Sequence, residues 1–340
     1  MSLSSESRIN DLKVILITGG CGFIGSNLVI YMVKKYPSIT FINLDKISYC
    51  SNLRNLDEVQ DAPNYIFRKI DLLEIDQVHS LFQEFSSKGT PIDGIMHLAA
   101  YTDVSTSFYH SISYTKNNVI GTHILLEIAN KFKIKCFLEI NTDEIYGDQL
   151  GVSNESALPD PTNPYSASKT ASFYITRSYY HSFKLPVITL RLNNIYGRYQ
   201  YPEKVIPKFC LRILNGKKCQ IQGEGLQTRS FLHVEDACRA FELVLFNGKI
   251  GEVYNSGSGQ ECSVMELAKR IITHLKPGEK LEDWIEYIED RHFNDKRYLI
   301  CSEKIKQLGW SQQISFDEGL PQVIEWYKQN TDRWDPTIYS

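Results

Sequence analysis

The sequence predicts an α/β fold, a doubly wound parallel sheet followed by a smaller mixed α/β domain. Three observations carry that prediction. Over the first 190 residues, short apolar runs alternate with segments of helical period, the pattern of strands buried on both faces and joined by crossover helices. A glycine-rich turn falls directly between the first apolar run and the first helical segment. The length of 340 residues allows two domains, or one large domain with an appendage.

Taken in order, residues 14–17 are a continuous apolar run and read as the first strand, followed by a helix over 23–36. Strands are expected at 40–44 and, by alternation, 65–70, then a helix at 74–87 and a fourth strand at 94–98. A single helix near 108–132 leads to a fifth strand at 136–140, a helix at 165–183 and a strand at 187–190. Beyond residue 195 the pattern loosens. Helices are expected at 203–214, 234–247, 263–275 and 316–329, with a short strand at 251–254 and frequent Gly and Pro between them. The division expected is residues 1–195 as a dinucleotide-binding domain carrying the catalytic residues and 196–340 as a substrate domain, with some chain crossing back to the sheet. No repeat, low-complexity stretch or linker separates them.

Hydrophobic residues are 42% and charged residues 23% of the chain, ordinary globular usage that excludes disordered and fibrous classes. Lys plus Arg is 37 against 40 Asp plus Glu, a net charge of -3. Without a basic excess, nucleic-acid binding is not the expected function, and a small molecule is the expected partner. Eight cysteines are scattered without a C-x-x-C pair or clustering with His, so reduced thiols in a cytoplasmic protein and no metal site are expected. The polar start Met1–Ser7 lacks an apolar signal region. No apolar run reaches the about 18–20 residues of a membrane span.

Thr18-Gly19-Gly20-Cys21-Gly22-Phe23-Ile24-Gly25 joins the first strand to the first helix. Gly19, Gly22 and Gly25, spaced G-x-x-G-x-x-G, form a variant of the dinucleotide fingerprint, which makes the first half Rossmann-type: glycines permit a tight turn, close approach to a pyrophosphate and close helix–strand packing. Asp45 ends the second strand, twenty residues past Gly25. A carboxylate there binds ribose hydroxyls and repels a 2′-phosphate, favouring NAD over NADP. Asp71 and Leu72 follow the third strand where an adenine would lie, although an ordinary strand-end carboxylate explains Asp71 equally well. His97-Leu98-Ala99-Ala100 ends the fourth strand in small residues that let a cofactor approach the backbone, or that simply pack closely.

Tyr165 and Lys169 stand four apart on one helix face. An ammonium beside a phenol favours the phenolate and prepares Tyr165 to take a hydroxyl proton as a hydride leaves the same carbon. Asp143 and Glu144 are adjacent carboxylates at the end of the fifth strand. At an irregular strand end both can turn toward one ligand, and two such close carboxyls do not ionise equally, which yields an acid beside a base. The bland alternative is a turn-capping Asp beside a solvent-facing Glu.

The glycine turn with Tyr165-x-x-x-Lys169 resembles the extended short-chain dehydrogenase/reductase superfamily. Asn141-Thr142-Asp143-Glu144-Ile145-Tyr146-Gly147 narrows the likeness to the nucleotide-sugar 4,6-dehydratases acting on dTDP-glucose or UDP-glucose. The resemblance is collinear from about Val14 to Tyr327 and includes Asn163–Lys169, Asn193–Gly197, Tyr201–Pro207, Arg229 and the segment 290–298.

That resemblance implies the following chemistry. Tyr165, helped by Lys169 and Thr142, deprotonates the glucose 4-hydroxyl while hydride passes to NAD. Glu144 removes the C5 proton, Asp143 protonates the departing 6-hydroxyl, and hydride returns to C6, giving a 4-keto-6-deoxy sugar on the way to rhamnose or another deoxysugar. It implies cofactor contacts from Gly19, Gly22, Phe23, Ile24, Gly25, Asp45, Lys46, Ser48, Asp71, Leu72, Leu98, Ala99, Ala100, Tyr101, Asn117, Asn118, Tyr165 and Lys169. It implies substrate contacts from Thr102, Asn194, Glu203, Lys204, Arg229, Asn255, Arg291 and Asn294, the arginines suiting a diphosphate. A homodimer through the helices near 108–132 and 165–183 is implied as well.

The chain departs from bacterial members at Asp103, Arg198, Asn294 and Arg229-Ser230-Phe231, which leaves thymine and uracil both open as the base. A sister 4-epimerase would lack the Asp–Glu pair and a UDP-glucuronate decarboxylase would carry T-S-E there, so Asp143 discriminates. A non-catalytic NAD-binding module would lose Tyr165 or Lys169.

Overall fold

The computed structural model describes residues 7–148, 151–290 and 299–339. Strand β1 (Val14–Thr18) leads through the glycine turn into α1 (Phe23–Lys35), then β2 (Thr40–Asp45), β3 (Tyr65–Lys69), α2 (Ile75–Ser87) and β4 (Gly94–His97). Short helices α3 (Val104–Tyr109) and α4 (Ser111–Tyr114), a π-helical turn over Thr115–Ile120 and α5 (Gly121–Lys131) lead to β5 (Cys136–Thr142). After a 3-10 turn at Asp143–Tyr146 come α6 (Pro164–Phe183), β6 (Val187–Leu192) and β7 (Asn194–Tyr196). The remaining elements are α7 (Val205–Leu214), β8 (Cys219–Gln222), β9 (Thr228–His233), α8 (Val234–Asn247), β10 (Val253–Ser256), β11 (Glu261–Ser263), α9 (Val264–Leu275), β12 (Ile285–Ile288), α10 (Glu303–Lys306) and α11 (Phe316–Gln329).

The main sheet has seven parallel strands in the order β10-β6-β5-β4-β1-β2-β3. Its apolar runs are buried on both faces. One core layer packs α1 and α8 against one side, through Leu28, Met32, Phe241 and Val244, and the other packs α2, α5 and α6 through Phe82, Leu125 and Phe137. A third core, around Phe209, Ile221, Leu267 and Phe316, holds the smaller lobe together. The strand order reverses between β1 and β4, so their carboxyl ends open a crevice, where ligands of such sheets bind.

Two expectations need correction. The helix expected over 108–132 is broken: Asp103 caps α3 by accepting from Thr106 N at 2.7 Å, His110 leaves helical geometry, and α4 runs on into a π-helical turn. Such π-turns cluster at functional sites, and this one carries Asn117 and Asn118. The strand expected at 251–254 is β10 at Val253–Ser256, and it belongs to the main sheet, where Asn255 pairs with Arg191 of β6. Residues 234–256 thus return to the first half of the molecule, because the apolar faces of α8 and β10 complete its core. Among the described residues, no helix is long and apolar enough to cross a membrane.

Candidate active site

A cleft of about 740 Å³ opens where β1, β2, β4 and β5 end. Its first wall is the glycine turn. Gly19 has φ +73°, and a Cβ there would stand 2.8 Å from Ala99 Cα; a Cβ at Gly25 would run into the Gly19 carbonyl oxygen. The turn and the N-terminus of α1 therefore present bare backbone, the cradle an anionic diphosphate needs. Thr18 Oγ1 takes bonds from Leu98 N and Ala99 N, each at 3.2 Å, and fixes the end of β4 against the turn. His97 shares that hydroxyl at 2.8 Å. Burial and the Lys169 charge drive its imidazole down to about 3, so His97 is a neutral packing group.

Asp45 accepts from Cys21 N at 2.9 Å, Ile47 N at 2.7 Å and Ser51 Oγ at 3.1 Å. It is locked against the glycine turn and remains part of the cleft wall. Lys46 bonds Asn117 Oδ1 at 2.7 Å, pairs with Asp71 at 3.4 Å and lies 4.6 Å from the centroid of the Tyr101 ring. Four residues expected at the cofactor thus meet at one place, where Ser48, Leu72, Leu98, Ala100 and Tyr101 also line the wall with Phe23 and Ile24. A cradle of bare backbone with a carboxylate at the end of the next strand fits a dinucleotide bearing free ribose hydroxyls, as NAD does. Asn118 is not in the wall; its amide holds Tyr101 O at 3.0 Å and Ser168 Oγ at 2.9 Å, and so fixes the residues around it.

The second wall begins at the end of β5. Thr142 ends the strand, and the chain turns at once into the 3-10 segment carrying Asp143 and Glu144. Thr142 Oγ1 accepts from Glu144 N and donates to Asp143 Oδ1, both at 3.3 Å. Across from them, α6 opens with Asn163 as its cap in a reciprocal arrangement with Ser166, and Pro164 occupies its first position. Such a cap contributes about 1 kcal/mol. It fixes Tyr165 and Lys169 one turn apart along the helix, and the Asn163 amide reaches Glu144 Oε2 at 3.5 Å. Thr142, Glu144, Tyr165 and Lys169 all line the cleft.

Asp143 does not. It is 2% exposed and sits behind the wall, held by Asn193 Nδ2 at 2.5 Å. Burial and the neighbouring Glu144 push its carboxyl up to about 7. Tyr165 is also driven up, by burial and then by Glu144, and the group that opposes this is the Thr142 hydroxyl. The ammonium expected to lower Tyr165 looks elsewhere: Lys169 Nζ donates to Ile140 O at 2.8 Å, and its charged neighbour is the buried Glu139. Glu139 in turn accepts from Ser172 Oγ at 3.2 Å and Thr189 Oγ1 at 3.0 Å.

Of the expected substrate contacts, Thr102, Asn194, Glu203, Lys204 and Arg229 line the same cleft. Lys204 Nζ bonds Thr102 O at 2.8 Å, and Glu203 accepts from Tyr49 at 2.9 Å. Asn255 must be corrected. It is fully buried on β10, bonded by Tyr146 OH at 2.9 Å and Glu155 at 2.9 Å, and so braces the sheet edge instead of facing the cleft. Arg291 and Asn294 lie outside the described residues. Two residues were missed. Asn193 carries the Asp143 contact, and fully buried Arg191 donates to Tyr146 OH at 2.6 Å beneath the site. The Asn193–Gly197 segment was the available signal for the first; nothing in the pattern marks an arginine inside a buried strand. Among the described residues, no cluster of three or more His, Cys, Asp or Glu could hold a metal.

Comparison with known proteins agrees with this geometry. The family model described as GDP-mannose 4,6 dehydratase matches residues 16–323. The chain is 42% identical to a dTDP-D-glucose 4,6-dehydratase of Dictyostelium discoideum, over 95% of this chain and 83% of that one. It is 43% identical over 95% of its length to a trifunctional UDP-glucose 4,6-dehydratase, 3,5-epimerase and reductase of Arabidopsis thaliana, of which it spans 48%. A dTDP-glucose 4,6-dehydratase of Streptomyces venezuelae, solved with NAD and TYD bound, superposes with a TM-score of 0.89 at 34% identity, covering 95% of this chain and 99% of that one. With a family model matched over residues 16–323 and relatives matched over 95% of its length, the chain belongs to the GDP-mannose 4,6 dehydratase family of nucleotide-sugar dehydratases.

Proposed function

We propose that the protein dehydrates a nucleoside-diphosphate glucose, dTDP-glucose or UDP-glucose, to the 4-keto-6-deoxy sugar. The observation that carries this reading is the carboxyl pair: Asp143, pushed up to about 7, stands next to Glu144, which faces the cleft across from Tyr165. A 4-epimerase needs neither carboxyl, and a decarboxylation needs no acid at the sugar's sixth carbon. Asp45 at the end of β2 favours NAD over NADP.

NAD, which the glycine turn, Asp45 and the Lys46–Asp71 corner would hold, would supply a hydride acceptor for C4 that gives the hydride back at C6 once water has left. Tyr165, bonded to Thr142, takes the proton of the 4-hydroxyl. Lys169, whose Nζ is turned to Ile140 O, lines the cleft one turn along α6 from Tyr165, where it serves the bound cofactor. The ketone at C4 acidifies the C5 proton, and Glu144 removes it. Asp143, protonated below about pH 7 and set behind the wall, passes its proton through the Thr142 hydroxyl it shares, which lines the cleft, to the 6-hydroxyl as that leaves as water. Arg229, Lys204 and Asn194 hold the diphosphate, so the later part of the chain binds the nucleotide and the first 195 residues perform the chemistry.

The protein works as a homodimer. Tyr109 and Ile112, 74% and 68% exposed, lie with Ile120 and Tyr174 on the helices 104–120 and 164–183, an apolar surface suited to a second copy. All eight cysteines are free thiols, which suits a cytoplasmic setting. The deciding test is incubation with each nucleotide sugar and identification of the product by NMR; a 4-keto-6-deoxy sugar supports the reading, and an epimerised or unchanged sugar rejects it.

A further inference from the structure

The wall that the smaller lobe gives to the cleft has an unexpected contributor. It is formed by Lys208 of α7, Gln220 and Gln222 of β8, Ile288 of β12 and, from the last stretch of the chain, Ile338. The segment 331–339 that brings Ile338 there is tied down along its length. Arg333 donates to Asn55 Oδ1 at 2.8 Å, and its guanidinium lies 5.1 Å from the centroid of the Tyr199 ring. Trp334 packs on Trp326 and Tyr327, with ring centroids 5.9 Å and 5.4 Å apart. Asp335 Oδ1 accepts from Thr337 N at 2.9 Å and Oγ1 at 2.8 Å, which forms a local turn just before Ile338.

Tyr339 then anchors the segment. It is 1% exposed, and its carbonyl accepts from buried Arg212 at 3.0 Å. The same guanidinium bonds Lys218 O at 2.6 Å and Glu286 at 2.8 Å. Glu286 is on β12, which pairs with β8. One buried arginine therefore couples the segment to the small sheet that forms the rest of this wall. On β8 the residues alternate: Cys219 and Ile221 enter the core, while Gln220 and Gln222 share the cleft face.

We propose that residues 331–339 form a strap completing the nucleotide end of the substrate cleft, and that Ile338 is a specificity-determining contact for the base; this rests on the reading of the substrate as a nucleoside-diphosphate sugar. The reacting sugar must lie between Glu144 and Tyr165, and its diphosphate passes Arg229, so the base reaches the wall beyond. There Ile338 and Ile288 offer apolar contact to a planar ring, and the two glutamine amides offer a donor and an acceptor to its polar edge.

The test uses the full-length, NAD-loaded protein and the variants Ile338→Ala and Ile338→Glu. UDP and dTDP, which carry no sugar, are titrated by calorimetry, glucose 1-phosphate serves as the ligand without a base, and KM and kcat are measured with the nucleotide sugar. Ile338→Glu is expected to weaken nucleoside diphosphates by about tenfold or more and to raise KM in parallel with kcat unchanged, while Ile338→Ala weakens them less. Glucose 1-phosphate binding stays as it was. Nucleoside-diphosphate affinities unchanged in both variants overturn the proposal, as does an equal loss for glucose 1-phosphate. Should the unsubstituted protein bind the nucleoside diphosphates yet convert neither sugar nucleotide, the functional reading fails and the strap does not.

Discussion

The side-chain amide of Asn193 donates to Asp143 Oδ2 at 2.5 Å, so the residue just past β6 tunes the acid just past β5. An N–H donor favours the carboxylate and opposes the burial and Glu144 charge that push Asp143 up to about 7. The dehydration step needs this carboxyl protonated, so its rate should be full below the Asp143 pKa and fall as pH rises through it. Asn193→Ala removes the opposing donor and should move that alkaline limb to higher pH. A rate profile whose alkaline limb stays in place in the variant contradicts the assignment.

The pocket that holds Asn193 is itself specified by a glycine. A Cβ on Gly257 would land on Asn193 Oδ1. Gly257→Ala should therefore displace the amide and reproduce the pH shift of Asn193→Ala without removing any functional group. A wild-type pH profile in Gly257→Ala would count against the contact.

Substitution of the three proton-transfer groups should separate the partial reactions. Asp143→Asn leaves oxidation at C4 possible but blocks loss of the 6-hydroxyl, so enzyme-bound NADH should build up when substrate is added. Glu144→Gln should abolish exchange of the C5 proton with solvent deuterium. Tyr165→Phe should prevent NADH absorbance from appearing at all. Each loss should be about 10²–10⁴-fold in turnover. Near-normal dehydration by Asp143→Asn would transfer the acid role to another group.

Cofactor content offers an independent check on the glycine turn. Protein denatured after purification should release NAD and not NADP, since the Asp45 carboxylate in the cleft wall accepts from ribose hydroxyls and repels a 2′-phosphate. Gly25→Ala, whose Cβ would strike the Gly19 carbonyl, should leave the protein with little bound dinucleotide. Release of NADP, or equal turnover with it, would refute the reading of Asp45.

Light scattering tests the proposed homodimer. A dimer is expected at micromolar concentration, and Ile112→Asp, placed on the exposed apolar surface of α4, should shift it toward monomer. A strictly monomeric unsubstituted protein would rule the dimer out.

Much of this was legible in the sequence because backbone rules act locally. The runs at 14–17 and 136–140 read as buried strands, the glycines at 19, 22 and 25 as the turn between strand and helix, and the helices at 234–247 and 316–329 lie where their periodicity put them. What stayed hidden depends on the other half of the molecule. Nothing local tells that β10 docks beside β6, which takes Asn255 away from the cleft and into the sheet. The direction of Lys169 toward Ile140 O, and the withdrawal of Asp143 behind Asn193, are likewise set by packing between α6, β5 and the loop after β6. The break at His110 was missed because the apolar spacing continues across it.

The most direct test of the account follows a label. Glucose deuterated at C4, supplied as dTDP-glucose and as UDP-glucose in separate reactions, should yield a 4-keto-6-deoxy product in which that deuterium stands at C6. In a second reaction, run with unlabelled sugar in deuterated water, one solvent deuterium should appear at C5. The central claim requires both, because the hydride must return to the carbon that lost its hydroxyl while Glu144 exchanges the neighbouring proton. Recovery of the C4 deuterium at C4 of an epimerised sugar, or a product with no change at C6, would contradict it.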